Sequence, residues 1–499
     1  MGGCLMKPRS ASSSAYVINK ALFYISLLVL SFIFVAVFCF FTNPLTSYLG
    51  GDASFFQLVG QGMTKGMLPY RDFFDMKGIY LFLIEYLSQL ICYGRTGCYL
   101  MEVVNFFLIL VIVDKLHLVS KPDLKPALRY LCLLPYLWVM AVTFEGGNLT
   151  EEFSLPFVLI CVLLCEKYRS RGDESMHPPL YGAVYGFCFG VIAFIRITNA
   201  AVICAIVLAV FINLLIQKKY LCIFKNGIGF IAGLVLSVLP GILYCFCKGI
   251  LPEMLRQVFS FGFTYASEGK MIDFFFFHDH FFIYLFLALF PILAMYIYKD
   301  SNRFLKIFVF AGFAASVIAL SMGNAYEHYF TMLIPNLAVG INIVLSHMEP
   351  KNEKAIKKCA IYLCCVLLAL SPWLFIAGGK GLLSFVKDHH DYDAKNIAAM
   401  IPENDKNSVY TYDIPSRWYL ETGLFPCIRY CDWQNHYIEL SEDVKADLNR
   451  ILLETPPRWI VTRSPEEKAE LPDFVKDDLS KNYSLYSDNS SYCLWQFLS

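Results

Sequence analysis

Long hydrophobic segments alternate with short polar segments along most of the chain. Eleven of them are each roughly long enough for an α-helix, which rises ~1.5 Å per residue, to cross a hydrocarbon layer of ~30 Å. They are residues 17–42, 98–118, 126–144, 152–168, 179–196, 198–216, 226–247, 280–298, 303–321, 328–347 and 356–377. The pattern therefore predicts a polytopic α-helical membrane protein with about eleven transmembrane helices.

The segment 78–94 is also hydrophobic, but it is short and contains Glu85 and Gln89. If it does not cross, every loop on the side of the N-terminus is basic. These loops include 119–125, 166–178, 217–225 and 348–358. If it crossed, the basic loops would change sides partway along the chain. Because basic loops stay in the cytoplasm, we expect 78–94 to be an interfacial helix, the N-terminus to be cytoplasmic and the C-terminus to lie outside.

The composition changes after about residue 388, where short strand patterns and amphipathic helix patterns replace the long hydrophobic segments. The predicted strands are 408–412 and 459–462, and the predicted helices are 394–400 and 441–453. Roughly 110 residues are enough for a small domain. We therefore expect a membrane module over 1–380 and a soluble α/β domain outside the membrane over 381–499.

The composition agrees with a membrane protein and narrows its partners. Of the 499 residues, 57% are hydrophobic and 16% are charged, whereas soluble domains have about 25% charged residues. The formal net charge is zero and no block of Lys and Arg stands out. A nucleic-acid-binding surface is therefore not expected.

Most of the 18 cysteines lie in hydrophobic segments, where they pack as small apolar side chains. The absence of any CxxC pair argues against a zinc or iron–sulfur framework. In an oxidising compartment a disulfide could form among Cys427, Cys431 and Cys493, or between Cys92 and Cys98. The sequence leaves this pairing open.

The polar segment 50–77, between the first two hydrophobic segments, is the strongest candidate for chemistry. It could be a solvated loop that caps a helix. However, charges beside a span are costly unless they face water or a polar ligand, and a lipid-linked sugar phosphate is such a ligand. Lys77 suits its phosphate, and Asp52 suits the proton of an attacking hydroxyl. The departing lipid phosphate needs charge neutralisation more than a metal.

Three motifs in this part of the chain, GGDASF, QLVGQGMTKG and LPYRDFFDMKG, also carry a family resemblance. They resemble the first outer loop of the GT-C superfamily of polyprenyl-phosphate-sugar-dependent glycosyltransferases, which includes protein O-mannosyltransferases and lipid A aminoarabinose transferases. The matching residues are Asp52, Gly66, Pro69, Tyr70, Asp72, Asp75 and Lys77. Ala53 replaces a common second acid, and Gly78 and Ile79 replace the usual prolines.

Two later motifs extend the resemblance over most of the chain. NLTEE at 148–152 is similar to the acidic start of the fourth span in that superfamily, and EHYF at 327–330 is similar to a late helix of it. By resemblance, the catalytic carboxylates are Asp52 as the general base, Asp75 and Glu151. The residues expected at the donor phosphate are Lys77, Arg196, Arg256 and His328. Those expected near the acceptor are Tyr70, Glu152 and Glu327.

Six of these residues also have a purely structural interpretation. The alternatives are a local ion pair for Lys77 and Asp75, a helix cap for Glu151 and Glu152, a snorkelling side chain for Arg196, and a helix end without a role for His328. The HDH triplet at 278–280 offers metal ligands. Because alternate residues on a helix do not share a face, no metal site is predicted.

The sequence therefore predicts a glycosyltransferase of the inner (plasma) membrane. It would move a sugar, with inversion, from a polyprenyl-phosphate donor to a hydroxyl of a glycan, lipid or protein on the outer face. No cofactor is predicted beyond this donor, and a divalent metal is not indicated. One alternative is a transporter or flippase, which usually has polar groups at the bilayer midplane and inverted repeats. Another is a non-catalytic receptor whose outer domain binds a partner.

Overall fold

The computed structural model describes residues 11–172, 174–267, 281–322, 326–348, 371–465 and 471–498. The helices of the membrane module are α1 (Ala11–Phe38), α2 (Gly51–Thr64), α3 (Ile79–Ile91), α4 (Arg95–Ser120), α5 (Pro126–Thr143), α6 (Thr150–Arg169), α7 (Pro179–Arg196), α8 (Ala201–Ile216), α9 (Tyr220–Cys247), α10 (Leu251–Leu255), α11 (Gly262–Ser267), α12 (Phe281–Ile297), α13 (Arg303–Leu320), α14 (Ile334–Ser346) and α15 (Ser371–Leu383). Two 3₁₀ turns, Ile197–Ala200 and Glu327–Leu333, and a π-helical turn, Arg256–Phe261, join some of them.

Seven helical segments among the described residues are long and apolar enough to cross a membrane. They are Lys20–Phe38, Arg95–Ser120, Pro126–Thr143, Pro179–Ile216, Tyr220–Cys247, Arg303–Leu320 and Glu327–Ser346. Each of the ten predicted spans before residue 348 coincides with helix. Of the eleventh, 356–377, only residues from 371 onward are described, and they begin α15. The polytopic α-helical fold is confirmed, whereas the number of spans and their orientation stay predictions.

The segment between the first two predicted spans folds into two short helices, α2 and α3. Helix α3 has 13 residues, or about 20 Å at 1.5 Å per residue, which is too short for a hydrocarbon layer of ~30 Å. Its length therefore agrees with the prediction that 78–94 does not cross. Helix α2 is buried along most of its length, because α3 and the C-terminal part of the chain pack against it.

The C-terminal part of the chain forms a four-stranded sheet with small helices around it. The strands are β1 (Val409–Thr411), β2 (Trp459–Arg463), β3 (Tyr483–Asp488) and β4 (Tyr492–Phe497), and the helices are α16 (Tyr392–Ala399), α17 (Arg417–Thr422), α18 (Gln434–Leu440), α19 (Glu442–Glu454) and α20 (Asp473–Asn482). The strand order is β1-β2-β4-β3, with β1 parallel to β2 and the other pairs antiparallel.

This sheet confirms the small α/β unit, and both predicted strands and both predicted helices of the region are present. The sequence analysis did not foresee β3 and β4. The boundary at 380/381 stays a prediction. Cys92, Cys98, Cys427, Cys431 and Cys493 are all free thiols, so neither of the disulfides left open by the sequence is present.

The C-terminal domain is docked on the loop that precedes α3. The backbone N–H of Phe74 in that loop donates to the carbonyl of Arg429 at 2.8 Å. The ring of Tyr437 on α18 packs against Phe74, with centroids 5.2 Å apart, and against Phe261 of the π-helical turn at 5.5 Å. These contacts hold α18 against the loop that carries the predicted phosphate-binding lysine.

Candidate active site

The loop 65–78 is held in shape by buried hydrogen bonds. Tyr70 is fully buried with φ +67°, and its hydroxyl donates to the carbonyl of Lys77 at 2.8 Å. The buried amide of Gln257 donates to the carbonyl of Tyr70 at 2.7 Å and accepts from the N–H of Asp75 at 3.1 Å. A left-handed backbone is uncommon for a bulky residue, so these bonds must impose it. They fix the positions of Asp75 and Lys77.

The end of this loop lies against the end of α7. The N–H of Gly78 donates to the carbonyl of Ile195 at 3.0 Å. A Cβ at residue 78 would lie 2.2 Å from the backbone carbonyl of Phe194, so there is no room for a side chain. Proline has no N–H to donate, which explains why this chain departs from the proline of the related pattern. The contact brings Lys77 and Arg196 to the same place.

A cavity lies between the membrane module and the C-terminal domain. Its charged and polar lining consists of Asp52, Asp75, Lys77, Arg196, Thr198, Tyr265, Tyr326, Tyr329, Asp432, His436 and Tyr437, and Phe55, Phe56, Phe259, Phe263 and Trp433 add aromatic surface. Four of the ten predicted site residues therefore line one cavity: Asp52, Asp75, Lys77 and Arg196. Asp52 lies half-exposed in the first turn of α2.

Lys77 is a charged, largely enclosed cation. Its side chain is 15% exposed, and its ammonium lies 3.9 Å from the carboxylate of buried Asp75, which also accepts the Lys77 N–H at 2.5 Å. Burial alone would lower the pKa of Lys77, but the charges of Asp75 and Asp52 outweigh it and raise that pKa. Burial raises the pKa of Asp75, which the positive charge of Lys77 opposes. The predicted ion pair exists, and it faces the cavity.

Arg196 forms the second cation of the cavity. Its backbone leaves the helical conformation (φ −159°), which separates α7 from the following 3₁₀ turn. The guanidinium donates to Glu151 at 2.8 Å and lies 4.0 Å from the centre of the Tyr329 ring. Glu151 also accepts from the hydroxyl of Thr150 at 2.8 Å. Arg196 is thus held inside the protein by a buried carboxylate, which lies behind the cavity wall.

The other predicted site residues lie off the cavity lining. Tyr70 is buried beneath the loop, so its hydroxyl positions Lys77 and does not face an acceptor. Arg256 is exposed on the π-helical turn, whereas its neighbour Gln257 faces the loop. His328 pairs with Glu145 at 2.5 Å. These three residues therefore do not line the cavity. Of the three, Tyr70 supports a residue that does, namely Lys77.

Glu327 and Glu152, both predicted near the acceptor, have protein partners elsewhere. Glu327 accepts from the hydroxyl of Tyr284 at 2.7 Å. Glu152 is buried beside Glu102 and Cys39, and ligand atoms of these three residues lie within 4.8 Å of one another.

That arrangement could hold a metal ion. However, Glu102 already accepts hydrogen bonds from the hydroxyl of Thr42 and the backbone N–H of Asn148, so its oxygens are engaged without one. The HDH triplet at 278–280 lies outside the described residues.

The C-terminal domain contributes four residues to the cavity that were not predicted from the sequence. Asp432, Trp433, His436 and Tyr437 line the same cavity as the two cations. Burial raises the pKa of Asp432 to about 7, and the charge of Asp52 adds to this, although backbone N–H groups of Ser416 and Trp433 oppose it. Their only sequence signal is the grouping of acidic, aromatic and histidine side chains in CDWQNHY at 431–437.

Comparison with known proteins identifies the fold. No protein-family model matches the sequence, and no curated protein matches it at a significant level. Among solved structures, ArnT from Cupriavidus metallidurans bound to undecaprenyl phosphate matches with a TM-score of 0.59 over 96% of this chain and 98% of ArnT, at 8% identity. The apo ArnT structure matches with a TM-score of 0.55 over 97% and 98%, at 9% identity.

The chain has the fold of ArnT. The fold that the GT-C resemblance implies is therefore confirmed. A match to the archaeal oligosaccharyltransferase AglB from Archaeoglobus fulgidus has a TM-score of 0.46, with 12% identity, over 95% of this chain and 74% of AglB. The assignment of the fold rests on the two ArnT structures.

Proposed function

We propose that this protein is an integral-membrane glycosyltransferase that transfers a sugar from a polyprenyl-phosphate donor to a hydroxyl acceptor. One observation carries the proposal. A half-exposed carboxylate, Asp52, shares one cavity with two enclosed cations, Lys77 and Arg196, in a chain with the fold of ArnT, whose crystal structure holds undecaprenyl phosphate. A base beside a phosphate-binding pair is what this reaction requires.

In the proposed reaction the acceptor oxygen attacks the anomeric carbon of the donor sugar from the side opposite the phosphate. The bond from that carbon to the phosphate oxygen breaks, the acceptor proton passes to Asp52, and the configuration inverts. The leaving polyprenyl phosphate keeps the electron pair as an anion. Lys77 and Arg196 neutralise its charge in an enclosed site, where electrostatic stabilisation is stronger than in water.

Two carboxylates keep the cations in place in this proposal. Asp75 pairs with Lys77, and Glu151 pairs with Arg196. An enclosed cation needs such a partner because its desolvation is costly. Asp75 and Glu151, which the resemblance suggested as catalytic carboxylates, therefore act as positioning residues.

The proposed orientation follows the distribution of basic loops. The N-terminus lies in the cytoplasm, and the cavity and the domain over 381–499 lie on the extracytoplasmic side of the plasma membrane. There the donor enters with its lipid chain in the bilayer, and the acceptor enters from the aqueous side.

The test uses the full chain in proteoliposomes without a membrane gradient. Synthetic polyprenyl-phosphate hexoses and pentoses are supplied as donors, and release of polyprenyl phosphate is measured by mass spectrometry. Asp52→Asn should lower the rate by about 10²–10⁴-fold, the usual contribution of a general base. Asp123→Asn is the control, because Asp123 is exposed on the predicted cytoplasmic side.

Near-normal release of polyprenyl phosphate by Asp52→Asn would contradict the role of this carboxylate. Movement of an intact donor across the bilayer, with no consumption of it, would instead identify a flippase.

A further inference from the structure

We propose that the acceptor is a saccharide, and that the C-terminal domain binds it at a subsite formed by Trp433, His436 and Asp432. This inference rests on the proposed transfer reaction and names the substrate class of its second substrate. The three side chains line the same cavity as Asp52. They belong to the part of the cavity lining that the C-terminal domain contributes, here called the C-terminal wall.

Trp433 is displayed by a turn whose shape the structure enforces. Its backbone is left-handed (φ +54°), a conformation that bulky residues rarely adopt. Its N–H donates to Oδ1 of Asp432 at 3.0 Å, and Oδ2 of Asp432 accepts the N–H of Ser416 at 3.2 Å. The indole is nevertheless 46% exposed, although it lies at a cavity. A strained turn held by a buried carboxyl to expose a large ring is typical of a binding surface.

His436 adds an unused polar atom beside this ring. The rings of Trp433 and His436 lie 6.3 Å apart at an angle of 70°. Nε2 of His436 is shielded from solvent and has no hydrogen-bond partner among the described residues. Burial lowers the pKa of His436, so the imidazole is neutral and can donate at one nitrogen and accept at the other. Such a group suits a hydroxyl, which also donates and accepts.

The chemistry of this wall favours a sugar over an anion or a peptide. Its cavity-lining residues, Asp432, Trp433, His436 and Tyr437, include no cation, so it does not suit a phosphate. They lie on α18 and the turn before it, which offer no strand edge to an extended peptide. An exposed aromatic face attracts the partly positive C–H groups of a sugar ring, and Asp432 and His436 can bond its hydroxyls.

The position of Asp52 links the two walls. It lines the same cavity as Lys77 and Trp433, and its charge contributes to the raised pKa of Lys77 and of Asp432. In the proposed complex, a sugar stacked on Trp433 shares this cavity with the proposed base, and the donor phosphate is bound by Lys77 and Arg196.

The experiment measures binding of methyl glucoside, methyl galactoside and methyl mannoside to the full chain in nanodiscs by saturation-transfer NMR. Trp433→Gly removes the ring and relieves the left-handed strain, so it should fold. We expect it to weaken binding of at least one glycoside by about tenfold, which corresponds to ~1.4 kcal/mol. Trp433→Phe should retain most of the affinity. Tyr486→Ala, which removes an exposed ring of the same domain outside the cavity, should bind like the wild type.

Two results would overturn the inference while glycosyl transfer stands. One is unchanged glycoside binding by Trp433→Gly in a preparation that consumes the donor. The other is an acceptor role for a serine tripeptide or for phosphatidylglycerol when no glycoside binds. If glycosides bind through Trp433 but the wild type never consumes the donor, the proposed reaction fails and the acceptor role falls with it. A larger change in the KM for the glycoside than in kcat for Trp433→Gly would support the inference.

Discussion

The two walls of the cavity stabilise their buried ionisable groups in different ways. On the membrane-module wall, each cation is paired with its own carboxylate, Lys77 with Asp75 and Arg196 with Glu151. On the C-terminal wall, the buried carboxyl of Asp432 has backbone N–H groups as partners instead of a cation. The first wall keeps its positive charges at neutral pH, whereas the second has a carboxyl that titrates near neutrality.

In the proposed reaction, this difference separates the two substrates. A wall with fixed cations binds an anion and stabilises a leaving phosphate. A wall of aromatic and neutral polar groups suits an uncharged polyol and would gain little from a phosphate. Asp52 lines the cavity together with residues of both walls, which is the position that the proposed base requires.

The largest expected effect comes from removing a cation from the first wall. Lys77→Ala should lower kcat/KM for a polyprenyl-phosphate hexose by about 10²–10³-fold, because an electrostatic contact to the leaving group is lost. Lys77→Arg should recover part of this rate. The measurement is release of polyprenyl phosphate by the reconstituted full chain.

Lys65→Ala is the matched control, since Lys65 is an exposed lysine near the end of α2 that lies 4.3 Å from the centre of the Phe425 ring and outside the cavity. Equal losses of kcat/KM in Lys77→Ala and Lys65→Ala would mean that the donor is not bound specifically in this cavity.

The next effect is a pH dependence of protein stability that arises from Asp432 on the second wall. Burial raises the pKa of Asp432 from 3.8 to about 7 in the folded protein, so folding favours its protonated form. The stability that this protonated carboxyl contributes is fully present below the unfolded pKa and is lost as the pH rises to about 7, on the order of 4 kcal/mol.

The wild type should therefore lose thermal stability over that range more steeply than Asp432→Asn, in melting curves of the detergent-solubilised chain. Identical slopes would show that the carboxyl is ionised throughout and that the two walls do not differ in this respect.

Gly78 tests the contact that holds the first wall together. Gly78→Ala places a Cβ against the backbone of Phe194, so we expect a destabilisation of about 1–3 kcal/mol and a lower transfer rate as Lys77 moves away from Arg196. Gly51→Ala is the matched control, because no atom lies within 4 Å of its added Cβ. Thermal melting and donor consumption measure the two effects, and an unchanged melting temperature in Gly78→Ala would refute the close contact.

The smallest effect concerns the amide that clamps the loop. Gln257→Met keeps the size of the side chain but removes its bonds to Tyr70 and Asp75, at a cost of about 1–2 kcal/mol. The transfer rate should fall more than this loss of stability explains, since the loop carries Lys77. Gln61→Met serves as control, because its amide makes only a long 3.5 Å contact to Tyr93 among the described residues. Wild-type kinetics in Gln257→Met would contradict the clamp.

The sequence analysis found the first wall because its residues carry strong local signals. Asp52, Asp75 and Lys77 are charges next to hydrophobic segments, and Arg196 lies at the break between two of them. Such charges require a partner or a ligand, so their chemistry could be read without coordinates. The sequence alone could not show whether Arg256 or Gln257 faces the loop, because only the packing of the π-helical turn decides this.

The second wall gave no comparable signal. Asp432, Trp433 and His436 lie in a soluble domain about 380 residues after Asp52, where acidic and aromatic side chains are ordinary. Their place at the cavity depends on the docking of Tyr437 against Phe74 and Phe261. No periodicity in the chain encodes a contact between such distant segments.

By itself, the sequence determined the helical membrane architecture and the short helix after the first polar segment. It also yielded the candidate residues for binding a phosphate and accepting a proton. Hydrophobic length and the cost of buried charge are local properties, so both can be recognised along the chain. Only the tertiary structure decided that Lys77 meets Arg196 through Gly78, that Glu151 supports a cation, and that the C-terminal domain closes the cavity. These outcomes depend on side-chain packing between elements far apart in the chain, and packing is a property of the assembled fold.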